Sequence, residues 1–157
     1  MKGDRGLIII LGLIAFLIVV SLVLFFVRQD SQHDYKPGNT PEDIVHNYVL
    51  ALHQGDYQKA YDYLQDTDEK PTVAQFQQIF FENTRELENS SMQIVSTNQT
   101  GDEAYVAVTV TRNSSGPFDR PWSENSSIWL VLQDEQWKLA FAPWPYWGWD
   151  WYSGNIK

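Results

Sequence analysis

The sequence predicts an α+β domain behind an N-terminal transmembrane helix. Two observations predict the fold class: apolar residues recur at helical spacing in the first half of the domain and alternate at strand spacing in the second half. A third observation predicts the membrane helix, because residues 7–27 form 21 consecutive positions without a charge. We therefore expect three helices packed on an antiparallel sheet of four or more strands.

The stretch 7–27 is long enough to cross a bilayer. As a helix it would span about 31 Å, which matches a hydrocarbon core of about 30 Å. It is longer than the apolar region of a signal peptide, about 7 to 15 residues, and no small-residue cleavage site follows it. We expect an uncleaved signal-anchor of a single-pass cell-membrane protein, with the lipid bilayer as the partner of residues 7–27.

The residues beside this span predict its orientation and the domain boundaries. The segment before the span, residues 1–6, is short and carries two basic side chains, whereas the segment after the span is rich in acidic residues. Since positive charge favours the inside, residues 1–6 are expected to be cytoplasmic and the domain to lie outside, in a design of bacterial type. Residues 28–39 are polar and include Pro37 and Gly38, which predicts a stalk, and the domain then covers residues 40–157.

Composition excludes several classes of function. Beyond residue 27 the chain holds 9 basic and 19 acidic residues, so a nucleic-acid partner, which needs a basic face, is not expected. There is no Cys, and therefore no disulfide. We find no metal-ligand spacing, phosphate-binding loop or dinucleotide fingerprint, and we expect neither a metal nor a cofactor.

The three predicted helices have recognisable ends. Thr40 is expected to cap the first helix, and Gly55 to end it. Asp56 is expected to cap the second. The third should begin after Thr72, which forms a capping-box pattern with Gln75.

Alternating apolar residues predict the strands. In the second strand one face carries the valines, which we expect to bury against the helices, with Val108 at its centre. A 14-residue loop, 113–126, is expected between the two hairpins, and loops of this length often carry function. The predicted strands are 91–97, 103–112, 127–133 and 136–142.

The outer face of the predicted sheet carries apolar residues that need a cover, and the C-terminal segment is one candidate for it. Trp129 and Val131 point to the outer face, so either the sheet forms a homodimer there or the C-terminal tail covers it. In the tail, Trp147, Trp149 and Trp151 alternate, which favours packing on the outer face as an extra edge strand. A stacking platform for sugars and a contact with the membrane interface are the alternatives for this segment.

Four short patterns in residues 40–142 recur together in one known superfamily. They are Val45, Tyr48, Ala51 and Leu52; Gly55, Asp56 and Tyr57; Ala60, Tyr61 and Leu64; and the strand segment Gln136, Trp137, Lys138 and Leu139. With these residues the chain resembles the nuclear transport factor 2-like superfamily, including its SnoaL-like and lumazine-binding-like branches. The resemblance implies a cone-shaped roll, in which the helices close over a curved sheet and leave a pocket at the wide end. Some members of the superfamily are isomerases or dehydratases, and many are non-catalytic binding or assembly modules.

No catalytic constellation is evident. His46 and His53 share a helix face that is turned away from the apolar stripe, so we expect both to be exposed rather than to act as a base. We expect a non-enzymatic, membrane-tethered module that binds an unknown small ligand or protein outside the membrane. An isomerase- or dehydratase-like enzyme that uses the cone pocket and a carbohydrate-binding module that uses the tryptophans are the alternatives. The candidate ligand-binding residues are Tyr48, Tyr61, Trp144, Trp147, Trp149 and Trp151.

Overall fold

The computed structural model of the chain describes residues 10–21, 34–113, 121–148 and 151. The chain divides into two compact units, Met1–Asp34 and Tyr35–Lys157. The first unit contains helix α1, which is helical over residues 10–21. Over the ranges that the structure describes, no helix combines the length and the apolar character needed to cross a membrane. Residues 7–9 and 22–27 of the predicted span lie outside these ranges.

The second unit begins with helices, as expected. Their caps are those that the sequence predicts: the Thr40 side chain accepts a hydrogen bond from the Asp43 amide at 3.3 Å, and Gly55 ends the first helix with a φ of 72°. Thr72 and Gln75 form the capping box of the third. The helices are α2 (Pro41–Gln54), α3 (Tyr57–Asp62), α4 (Val73–Glu82) and α5 (Thr84–Glu88).

The sequence does not predict α5. This helix is five residues long, has no side-chain cap at its N-terminus and buries one residue, Leu87. A single turn with one buried side chain carries no readable helical periodicity.

The second half of the unit is a four-stranded antiparallel sheet in the order β1-β2-β3-β4. The strands are β1 (Ser90–Thr100), β2 (Glu103–Arg112), β3 (Trp122–Gln133) and β4 (Gln136–Phe141). The expected α+β arrangement of helices packed on an antiparallel sheet is therefore confirmed. The turn from β3 to β4 is the expected two-residue hairpin, with positive φ at Asp134 and Glu135.

The expected loop over 113–126 is wrong in its second half. Strand β3 already begins at Trp122, which pairs with Arg112 of β2. Glu124 pairs with the buried Val110, yet Glu124 is exposed, so this end of the sheet extends beyond the core. Without an apolar core to face, residues 122–126 show no hydrophobic alternation, and the sequence pattern misses them.

The core lies between the helices and one face of the sheet. The valine face of β2 is buried as predicted, with Val108 only 1% exposed. Ile128, Leu130 and Leu139 continue this face on β3 and β4 and are fully buried. Helices α2, α3, α4 and α5 add their buried side chains to the same cluster. These are Ile44, Val45, Tyr48, Ala51, Leu52, Ala60, Phe76, Phe80 and Leu87.

The alternate spacing of Trp137, Leu139 and Phe141 predicts one apolar face on β4, but Phe141 does not continue that face. A register shift pairs Trp129 with Phe141 but Leu130 with Leu139, so the intervening Ala140 has no partner of its own. This irregularity reverses the alternation, because one extra residue moves the following side chain to the other face. Phe141 is consequently 38% exposed and lies beside Trp129.

The C-terminal tail is packed, but not where the sequence predicts. The expected edge strand on the outer face is absent from the described residues 142–148, which form turns. Tyr146, Trp147 and Trp151 belong to the core cluster. Trp151 stacks on Phe76 of α4, whereas the Trp147 ring lies 6.2 Å from that of Phe141 on β4. Residues 149, 150 and 152 of the expected strand lie outside the described residues.

The second unit also includes residues 35–39, which the sequence assigns to the stalk. The Asn47 side chain holds this segment on α2, because its Oδ1 accepts from the Lys36 amide at 2.8 Å and its Nδ2 donates to the Lys36 carbonyl at 2.9 Å. Asn47 is buried, so its two polar atoms need these partners. The folded unit therefore extends five residues further toward the N-terminus than the predicted start at Thr40.

Candidate functional site

The space between the helices and the sheet is filled by aromatic side chains. The Trp151 ring stacks on Phe76 with centroids 5.2 Å apart, and it meets Phe80 edge-on at 5.9 Å. The Tyr48 hydroxyl donates to the Tyr146 carbonyl at 2.7 Å, which fixes the tail to α2. Tyr48 and Tyr146 are both fully buried. The tail thus occupies the interior where the resemblance implies a pocket.

A small hydroxyl cluster lies beside this packing. The Ser90 hydroxyl lies 2.8 Å from the Leu87 carbonyl and 3.0 Å from the Tyr146 hydroxyl, which in turn lies 3.5 Å from Nε2 of His53. Burial raises the pKa of Tyr146 to about 12, so the phenol stays protonated at neutral pH. We interpret the cluster as a structural tie between α2, β1 and the tail, since its members satisfy one another.

His53 is exposed, as expected, but its imidazole ring also contacts the C-terminal tail. The imidazole meets Tyr146 edge-on, with ring centroids 5.9 Å apart. Partial desolvation of the ring lowers the pKa of His53, which favours the neutral form at pH 7. His46, also expected to be exposed, is half-buried.

The two candidate tyrosines use their hydroxyls within the fold. Tyr48 donates to the tail, as described above. The half-buried Tyr61 donates to the Pro71 carbonyl at 2.9 Å, and its ring lies 4.2 Å from the Lys70 ammonium. Both side chains therefore occupy core and loop-anchoring positions.

The candidate tryptophans separate into three environments. Trp147 and Trp151 are 5% and 6% exposed, so neither ring presents a face to solvent. Trp144 is half-buried, and its carbonyl accepts from the Arg112 guanidinium at 3.3 Å. Trp149 lies outside the described residues.

The surface that the structure describes in the second unit includes two open clefts. The larger, about 580 Å³, lies between α3 and the β3–β4 turn and mixes both signs of charge, with Lys59 and Lys138 opposed by Asp62, Asp134 and Glu135. The smaller, about 300 Å³, lies along α4 and has Trp151 in its wall. In the part of the chain that the structure describes, no group of three or more His, Asp or Glu side chains could hold a metal ion.

A third surface is formed by the outer face of the sheet, opposite the valines. Strand pairing places fifteen side chains there in five rows across β1, β2 and β3, and the row of Thr100, Glu103 and Val131 carries an exposed carboxylate. We call the other four rows, with twelve side chains, the outer field. Its rows are Asn98, Tyr105 and Trp129; Ser96, Ala107 and Ser127; Gln93, Thr109 and Asn125; and Ser91, Thr111 and Ser123.

The outer field is accessible and uncharged. All twelve side chains are exposed or half-buried, and none is ionisable apart from the Tyr105 phenol. The Tyr105 and Trp129 rings are nearly parallel, at 6° with centroids 6.4 Å apart, and Phe141 lies next to Trp129 on β4. Further along, Thr109 bonds to Asn125 and Thr111 to Ser123, both at 2.9 Å. The surface therefore offers an aromatic row beside a flat area of hydroxyl and amide groups.

Sequence reasoning identifies Trp129 on this face but misses the field as a whole. Tyr105 gives a readable signal, because it opposes the valines in the alternation of β2. Its alignment with Trp129 depends on the register between two strands, and the position of Phe141 depends on the irregularity in β4. Neither is visible in the local pattern.

Comparison with known proteins gives similarities of fold. No family model matches the chain, and no curated protein matches it in sequence. A provisionally named NTF2-like transpeptidase from Campylobacter jejuni is 23% identical with a TM-score of 0.47, over 64% of this chain and 96% of that one. A SEC-C motif containing protein from Rhodopseudomonas palustris is 11% identical with a TM-score of 0.49, over 66% and 77%. An uncharacterized cystatin fold protein from Novosphingobium aromaticivorans is 14% identical with a TM-score of 0.42, over 64% and 95%. No activity, ligand or partner follows from likeness at this level.

Proposed function

We propose that this chain is a non-enzymatic, membrane-tethered binding module that acts outside the membrane and uses the outer field as its recognition surface. One observation carries the proposal. The interior, where a substrate would enter, holds the buried Tyr146, Trp147 and Trp151, while the outer field is accessible and rich in groups that make contacts. A surface that combines aromatic rings with Ser, Thr and Asn side chains suits recognition, because the rings supply contact area and the polar groups supply directional bonds.

The tether is part of the same proposal. Residues 7–27 would span the bilayer, with residues 1–6 inside and the second unit outside. The apolar character of α1 supports this assignment, because its large side chains between Ile10 and Val19 are 49% to 64% exposed and surround the helix. A helix that is apolar on all sides needs a lipid or protein environment. External protease added to intact cells should remove the second unit and leave a membrane-bound fragment, whereas a soluble form that begins near residue 28 would contradict the tether.

The recognition surface can be tested with a photo-crosslinking residue, because such a group reacts with proteins and carbohydrates alike. We would place it at Thr109, in the centre of the outer field, in the full-length chain within its own membrane. The matched control is Gln77, which is exposed on α4 on the opposite side of the sheet. Adducts from position 109 and none from position 77 would support the proposal, whereas equal labelling, or none, would contradict it. An adduct with a second copy of the chain would identify the outer field as a homodimer interface.

A further inference from the structure

We propose that the outer field binds a neutral carbohydrate chain. The inference deepens the proposed function, on which it rests, by naming the class of ligand. It differs from a sugar site at the C-terminal tryptophans, because Trp147 and Trp151 are buried there and Trp144 is half-buried.

The absence of charge on the outer field is the first argument. Protein surfaces are about 25 to 35% charged, so twelve accessible positions would ordinarily carry about three or four charged side chains. The outer field carries no Lys, Arg, Asp or Glu, and the adjoining row of the same face carries one charged side chain, Glu103, although the whole chain has a net charge of −9. Nine of its twelve residues are Ser, Thr, Asn or Gln, each with a hydroxyl or amide that can donate and accept hydrogen bonds.

This chemistry discriminates among possible partners. A typical protein surface would bring Lys, Glu or Asp side chains against the outer field, which offers neutral hydrogen-bonding groups but no opposite charge, so the cost of burying those charges is only partly offset. Nucleic acids and acidic polysaccharides would be repelled by the negative charge of the chain. A neutral polyhydroxyl chain introduces no charge, and its hydroxyl groups match the donors and acceptors of the field.

The aromatic row supplies the apolar part of the contact. A sugar ring has C–H groups on its faces and hydroxyls around its edge, so it can pack on an aromatic ring while its edge is hydrogen-bonded beside it. Tyr105 is 47% exposed and Phe141 38%, and Trp129 lies between them. Rows along a strand are about 6.8 Å apart, so the four rows extend over about 20 Å, enough for an oligosaccharide rather than one monosaccharide.

The test uses the full-length chain in nanodiscs and an array of purified polysaccharides. The neutral probes are amylose, laminarin, mannan and chitin oligosaccharides, and the acidic probes are alginate and heparin. We expect retention on at least one neutral probe and none on the acidic ones. Titration of the retained probe should give at least tenfold weaker binding for Tyr105→Ala and for Thr109→Asp, which places a charge in the centre of the field. Phe81→Ala, at a 77% exposed position on α4, is the matched control and should bind like the parent chain.

Each outcome decides the question. Binding to no neutral probe, retention on the acidic probes alone, or neutral binding that survives both substitutions would overturn the inference. Melting curves of the variants separate lost binding from lost folding. The two substitutions test different parts of the inference, because Tyr105→Ala removes an aromatic ring and Thr109→Asp adds a charge. If position 109 crosslinks to proteins while no neutral probe binds, the carbohydrate inference fails and the proposed function stands. If position 109 crosslinks to nothing in its membrane, the proposed function fails as well.

Discussion

Truncation after Pro143 should unfold the second unit. The deletion removes Tyr146, Trp147 and Trp151, which are 0%, 5% and 6% exposed and belong to the core cluster. Replacement of one buried aromatic side chain by Ala typically costs about 3 to 5 kcal/mol, so the loss of three is of the order of 10 kcal/mol. The free energy of unfolding of a whole domain is about 5 to 15 kcal/mol.

A second cost adds to the first. The Tyr48 hydroxyl, which is buried, would lose the Tyr146 carbonyl that accepts its hydrogen bond. The loss of one hydrogen bond typically costs about 0.5 to 1.5 kcal/mol. Since each kcal/mol corresponds to about 2 to 4 °C for a domain of roughly this size, we expect the melting temperature to fall by about 20 °C or more, or the folding transition to disappear.

The assay is thermal unfolding of the detergent-solubilised full-length chain, followed by near-ultraviolet circular dichroism. Truncation after Tyr152 serves as the control, because it keeps all three aromatic residues. A truncation after Pro143 that melts within a few degrees of this control would refute the reasoning, since the tail would then contribute little to the core.

Two further predictions concern the sheet and the hydroxyl cluster. Val108→Asp should abolish folding and Thr109→Asp should change the melting temperature by only a few degrees, because Val108 is 1% exposed and Thr109 faces the outer field; equal effects would contradict the assigned faces. The lowered pKa of His53 contributes stability that is present above the ordinary imidazole pKa of 6.5 and is lost as the pH falls through the folded value. His53→Gln should therefore reduce the fall in melting temperature between pH 7 and pH 5. An unaltered pH profile in this variant would show that protonation of His53 is not linked to folding.

Much of the fold could be predicted from the sequence because its signals are local. The caps at Thr40, Asp56 and Thr72 satisfy amides within three residues, and the valine face of β2 follows from a period of two. The same logic fails for residues 122–126, where the strand continues beyond the core and no apolar alternation remains. The sequence identifies the candidate ligand contacts as aromatic, but it does not show that Tyr48, Trp147 and Trp151 are buried.

The sequence by itself determined the order of helices and strands, the inner face of the sheet and the apolar character of residues 7–27. Only the tertiary structure decided that the tail enters the interior, since this depends on contacts such as that between Tyr48 and Tyr146, 98 residues apart. It also decided which side chains meet on the outer field, because Tyr105 and Trp129 become neighbours through strand register and Phe141 joins them through one unpaired residue in β4. Local patterns fix which face a residue takes, whereas neighbours across strands are set by packing of the whole unit.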